Sequence, residues 1–182
     1  MALLTIIKSP DPRLKVKSLP VEKVNDEIRE FMLNMVETMY AEGGIGLAAV
    51  QVAVHKRILV MDLNYGSDRY EETKKHDKNK KPSEKPFFVV NPEIIKCSAE
   101  ESVFNEGCLS FPGQYSEVIR PKIVKVRYLD FDGKEQLLEA DELLSTCIQH
   151  EIDHLNGITF VDRISKLKRD IILKKMKKLS KD

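Results

Sequence analysis

His150-Glu151-Ile152-Asp153-His154 sets two imidazoles four residues apart with a carboxylate beside the first. In a helix, positions four apart stand one turn above each other on one face, so both rings can reach a single metal ion. Glu151 lies one step round that helix, close enough to take a proton from a water at the ion without ligating it. Such a trio suits hydrolysis of a resistant bond. The ion makes hydroxide available near neutral pH, and the carboxylate moves the proton. The bland alternative is a surface helix that happens to carry two of the chain's four histidines.

Two histidines do not complete a catalytic centre, which usually has three protein ligands and one open position. Downstream, His154-Leu155-Asn156-Gly157 imitates the start of an extended peptidase pattern, but Phe160 stands where its third histidine belongs. No glutamate follows Glu151. Asp162 is a formal candidate, although the start of a last helix would explain it as an N-cap. Upstream, the cysteines are the stock. Cys97 beside a strand and Cys147 one turn before His150 read as core packing, since a free cysteine behaves as a small hydrophobe. Cys108 differs, lying in Glu106-Gly107-Cys108-Leu109-Ser110 just before Pro112. Glycine and proline together shape backbone locally, as a loop presenting a side chain requires. Spacing alone leaves the choice of third ligand open.

The elements that must position these residues can be read around them. Residues 25–42 form a helix, with Ile28, Phe31, Met32, Met35, Val36 and Met39 at helical spacing, Asn25 or Asp26 at its start and Gly43-Gly44 to stop it. Strands are expected at 57–63, 87–90, 94–95, 119–129 and 136–139, with Asp132-Gly133 as a hairpin turn before the last. A helix begins at Asp141, shares Leu144, Cys147, Ile148, Glu151 and Leu155 on one broad face, and ends with Gly157 as the C′ residue. A basic amphipathic helix is expected over 162–179. The expected fold is α+β: short antiparallel strands around the central metal-binding helix, with an N-terminal helix and a basic C-terminal one. The chain is expected to form one domain over residues 1–182. Residues 67–86 carry many Lys, Glu and Asp and almost nothing apolar, and read as a mobile solvated loop.

Bulk properties agree with an ordinary soluble globular protein. The chain has 182 residues, 42% of them hydrophobic and 32% charged, long enough for one sizeable core. A formal charge of +1 points to neither DNA nor a membrane as the main partner. Three cysteines make an odd count, which argues against a disulfide framework. The apolar opening of residues 2–7 is too short for a signal segment, and no run approaches the about 20 apolar residues of a membrane helix. A cytoplasmic protein is expected.

The chain resembles the peptide deformylases, which remove the N-formyl group from the initiator methionine of nascent polypeptides and release formate. Three motifs carry the resemblance, in order: Gly44-Ile45-Gly46-Leu47-Ala48-Ala49-Val50-Gln51, Glu106-Gly107-Cys108-Leu109-Ser110, and Gln149-His150-Glu151-Ile152-Asp153-His154-Leu155. Together with Pro10-Asp11-Pro12 and Arg120-Pro121 it runs from about residue 6 to 164. The charged segment at 67–86 is longer than the family's pattern.

The resemblance implies Cys108, His150 and His154 as ligands of one divalent ion. Fe(II) is the family's metal, with Zn(II), Ni(II) or Co(II) in purified material. It implies Glu151 as general acid/base, and Gln51 with the Leu109 backbone N–H as donors to the formyl oxygen. Gly46 would leave room for the substrate backbone. Ile45, Leu143 and Cys147 would line the methionine pocket, with Phe104 as a further candidate. The implied substrates are N-formylmethionyl peptides. Nine Lys/Arg against Asp170 alone in residues 163–181 suggest a solvated helix face or a docking surface for the ribosome.

Two rivals are a zinc peptidase acting on internal bonds and a non-catalytic module with a structural metal. The first lacks its downstream ligand. The second would need a closed, usually cysteine-rich site and would leave Glu151 without a task.

Overall fold

The computed structural model describes residues 2–64 and 85–180, so the charged segment expected as a loop lies, but for its last two residues, outside them. Three α-helices and seven strands follow one another in a mixed α and β order: α1 Asp26–Ala41, β1 Gly46–Ala48, β2 Ile58–Met61, β3 Phe87–Cys97, β4 Glu101–Cys108, β5 Phe111–Pro121, β6 Ile123–Leu129, β7 Glu135–Asp141, α2 Glu142–Leu155 and α3 Lys166–Leu179. Strands pair antiparallel in the order β1-β2-β3-β6-β7, while β4 and β5 form a separate two-stranded ribbon. None of the described helices is long and apolar enough to cross a membrane.

The larger sheet is sandwiched, and strand alternation explains how. Ile58 and Val60 of β2 point into one cluster with Ile28, Met32, Met35, Val36 and Met39 of α1. Leu59 and Met61, facing the other way, join Cys147, Ile148, Ile152 and Leu155 of α2. All four β2 residues are buried, so this strand reads as a continuous apolar run rather than an alternating one. Each such side chain contributes about 1.5–3 kcal/mol when fully removed from water. A third cluster, of Phe111, Val118, Phe160, Val161, Ile172 and Met176, fastens α3 to the ribbon.

Helix ends follow their local chemistry. Asn25 caps α1 by accepting the Ile28 N–H, and Gly43, at φ 66°, ends it. Gly157 (φ 74°) follows α2 as expected, and a Cβ there would stand 2.4 Å from the Lys15 carbonyl oxygen.

Several expectations need correction. The strands are not all short: β3 and β5 have eleven residues each. The strand expected at 94–95 is the continuation of β3 past Pro92, where the register shifts between Val90 and Glu93. The single strand expected at 119–129 is two, because the chain leaves the ribbon after Pro121 and enters the large sheet at Ile123. β4 was not foreseen. Its inward positions mix Phe104 with Glu106, which hides the alternation. The C-terminal helix starts at Lys166, capped by Ser165, not at Asp162. Asp162 instead closes a 3-10 turn, Phe160–Arg163, by accepting from the Thr159 N–H and hydroxyl, and it pairs with Lys15. Cys97 is exposed at the end of β3 and does not pack in the core.

Candidate active site

His150 and His154 project from α2, which is wedged against β1 and β2 by its apolar residues. Cys108 is the last residue of β4, not part of a loop; the ribbon turns immediately after it through Leu109-Ser110. The sheet-bound helix and the ribbon end thus meet. One donor atom from each of Cys108, His150 and His154 lies within 4.8 Å of the others, and Cys108 Sγ stands 3.2 Å from His154 Nε2. A thiolate and two imidazoles are a donor set that fits Zn(II), Fe(II) or a similar divalent ion. Asp162 is not part of this group.

Electrostatics around the two imidazoles differ. Burial pushes the His154 pKa well below its ordinary value, which favours the neutral form that ligates. Burial also opposes charge on His150, yet its contacts with Cys108 and Glu106 raise its pKa well above the usual range. The Cys108 contact is the one a cation at this point would satisfy in place of a proton, whereas the Glu106 contact, on the remote Nδ1, keeps its proton.

Behind His150 lies a buried ionic chain. Its Nδ1 is 2.8 Å from Glu106 Oε2. Arg120 donates to both Glu106 oxygens, at 2.5 and 2.9 Å, and to Asp153 Oδ2 at 2.8 Å. Burial penalises the Glu106 charge, but Arg120 and His150 overcome this and draw its pKa down to about 2. A carboxylate on the remote ring nitrogen fixes the tautomer and orientation of a ligating imidazole. The Phe160 ring stacks on His150 at a centroid distance of 6.3 Å.

Glu151 is 4% exposed, and its Oε2 has no hydrogen-bond partner among the described residues. Burial pushes its carboxyl up to about 7, in the range useful for proton transfer near neutrality. Gly46 makes room for this group. A Cβ on Gly46 would stand 2.5 Å from Glu151 Oε1 and 3.0 Å from Cys147 Sγ. The space that glycine leaves is therefore taken by Glu151 and Cys147, a use the sequence did not reveal.

Gln51 sits in the 3-10 turn Ala49–Val52 directly after β1. Its Oε1 accepts the Ala48 N–H at 2.8 Å, which orients the amide so that Nε2 faces Cys108 Sγ at 3.4 Å and Ser110 Oγ at 3.2 Å. A cleft of about 280 Å³ opens over these groups. Ile45, Gly46, Gln51, Cys108, Leu109, Leu143, Cys147, His150 and Glu151 all line it, whereas Phe104 is not among its lining residues. His154 lies beneath, fully buried.

Glu106, Arg120 and Asp153 were not singled out from the sequence as parts of a site. A signal existed: Ser116, Val118 and Arg120 share the inward face of β5, and an inward arginine needs buried acids.

The family model for polypeptide deformylase matches residues 3–170. A peptide deformylase of Rickettsia akari is 51% identical over 98% of this chain and 97% of its own. That of Bradyrhizobium diazoefficiens is 50% identical over 100% and 98%. Among solved structures, the peptide deformylase of Ehrlichia chaffeensis in complex with actinonin is 43% identical, superposes with a TM-score of 0.86 and covers both chains completely. Each of the three motifs falls within the matched span, and the chain belongs to the polypeptide deformylase family.

Proposed function

We propose that this chain performs the family's hydrolysis, removing the N-formyl group from formylmethionyl polypeptides, with the following residues in named roles. The observation that carries the assignment is the meeting of Cys108, His150 and His154 donor atoms within 4.8 Å at the floor of a cleft that Glu151 and Gln51 also line. Cys108, His150 and His154 hold the one divalent ion the family uses. When bound there, such an ion polarises a carbonyl and lowers the pKa of water toward neutrality. Fe(II) is the reading for the resident metal by family resemblance, and Zn(II), Ni(II) and Co(II) suit the same donors.

Glu151 accepts a proton from the attacking water and later donates it to the leaving amine, so that water and formamide become formate and a free amino terminus. Its Oε2, without a partner among the described residues, leaves the carboxylate available for that exchange. The formyl oxygen gains negative charge as water adds. The Gln51 Nε2–H, held in direction by the Ala48 contact, and the Leu109 N–H at the ribbon turn stabilise it. Ile45, Leu143 and Cys147 form the apolar wall for the methionine side chain, and Gly46 lets substrate and Glu151 approach each other. Residues 1–182 act as one catalytic domain.

Formate release from formyl-Met-Ala-Ser, measured beside the same peptide without its formyl group and beside metal content, tests the reading. Cleavage of internal bonds in the unformylated peptide would instead make the chain a peptidase.

Nascent chains place the work in the cytoplasm and near the ribosome. All seven Lys/Arg side chains of α3 are exposed, which supports docking on an anionic surface. Replacing Lys174, Lys175, Lys177 and Lys178 with glutamine should lower cosedimentation with ribosomes at low salt while leaving turnover of free peptides intact. Equal sedimentation would end the docking idea.

A further inference from the structure

The 3-10 turn Phe160–Arg163 places an aromatic ring on the ligand His150 and a cation on Asp153 of the same helix. We propose that Arg163 is a positioning residue for the metal centre, holding His150 in its ligating orientation through Asp153, Arg120 and Glu106. The inference rests on the ligand set proposed above.

Arg163 closes the far end of the ionic chain. Its Nε and Nη2 donate to Asp153 Oδ2 and Oδ1, each at 2.5 Å, in a two-point clamp. Asp153 in turn accepts from Arg120 Nη1, and Arg120 presents its remaining nitrogens to Glu106, whose Oε2 meets His150 Nδ1. Two buried carboxylates thus stand against two guanidinium groups. Arg120 and Glu106 are 2% exposed and Asp153 is 5%. A buried carboxylate that loses a partner draws on whatever donor remains. Without Arg163, Asp153 keeps only Arg120, which already serves Glu106 with two of its nitrogens. Arg120 then moves toward Asp153, and Glu106 loses the geometry that holds the His150 ring. Asp153 also sits between the two histidines on α2, so its anchorage steadies the helical turn that carries both.

Arg163 is 40% exposed, but the turn that carries it is well held. Asp162 beside it pairs with Lys15 and Arg169, and Phe160 is buried in the cluster with Phe111, Ile172 and Met176. The turn is therefore a rigid support rather than a loose strap. If it merely tied α3 to the domain, breaking the Lys15–Asp162 pair would have the same consequences as breaking Arg163–Asp153.

The full-length protein loaded with Co(II) provides the test, read by its visible absorption bands and by the rate of Co(II) loss to a chelator. Arg163→Gln is expected to shift the bands and speed loss about tenfold or more, the usual scale for removing a group that orients a ligand. Arg163→Lys, which keeps the charge but not the two-point fit, is expected between Arg163→Gln and the native protein. Lys15→Met is expected to leave bands and loss rate native even where it lowers stability. Native bands and loss rate in Arg163→Gln, or equal changes in Lys15→Met, would overturn the proposal. Should Arg163→Gln fail to fold, Arg163→Lys decides: a native loss rate there rejects it. Cobalt bands that survive Cys108→Ala would overturn the ligand set itself, a separate failure.

Discussion

Gln51 Nε2 points at Cys108 Sγ from 3.4 Å, and the opposite end of the same amide is pinned by the Ala48 N–H. A side chain from the turn after β1 is thereby aimed at the last residue of β4, 57 positions away. The alignment exists without substrate, so in the role proposed for it the Gln51 amide need not reorganise as charge develops on the formyl oxygen.

Gln51→Ala should therefore act on the chemical step. Removing one preorganised donor costs about 2.7–4 kcal/mol, or about 10²–10³ in kcat, with little change in KM. Steady-state formate release across substrate concentrations reads both constants. A rise in KM at unchanged kcat would make Gln51 a binding group only.

Glu151→Gln preserves size and leaves the three proposed ligands untouched. Metal content should stay near one equivalent while turnover falls by about 10²-fold or more, as expected when a general acid/base is lost. Both are measured on one preparation, and near-native turnover would remove Glu151 from the mechanism.

Cys108→Ala should lose the metal, whereas Cys97→Ala should keep it. The first thiol faces His154, and the second is exposed at the far end of β3. Elemental analysis after gel filtration distinguishes them. Retained metal in the first variant combined with loss in the second would reverse the assignment.

Arg120→Met should destabilise the fold by about 3–5 kcal/mol, because it leaves buried Glu106 with His150 alone and buried Asp153 with Arg163 alone. Urea unfolding at pH 7 gives the difference. A loss below 1 kcal/mol would show that the two acids find other partners.

Gly46→Ala should impair activity more than stability. The added methyl would meet Glu151 Oε1 at 2.5 Å and Cys147 Sγ at 3.0 Å, so the carboxylate must move. Metal content is expected to remain native. Unchanged kcat would mean that Glu151 can shift without consequence.

Local chemistry was legible in the chain itself. The helical period puts His150 and His154 on one face whatever surrounds them, and Asn25 starts its helix and Gly43 and Gly157 end theirs for reasons confined to a few neighbouring residues. The apolar stripe of α1 needed no partner to be recognised. Motif resemblance then joined Cys108 and Gln51 to that helix, which spacing alone had left open. Tertiary structure decided what depends on contacts distant in sequence. Pro121 ending one strand, Asp162 closing a turn rather than capping a helix, and Cys97 lying outside the core all follow from which sheet or cluster each segment meets. The ionic chain from Arg163 to His150 is the clearest case. Its members come from β4, β5, α2 and the turn before α3, and charges so far apart in sequence have no periodicity to reveal that they meet, all but the exposed Arg163 in one dry interior. Only burial makes their pairing obligatory, and burial is a property of the folded whole.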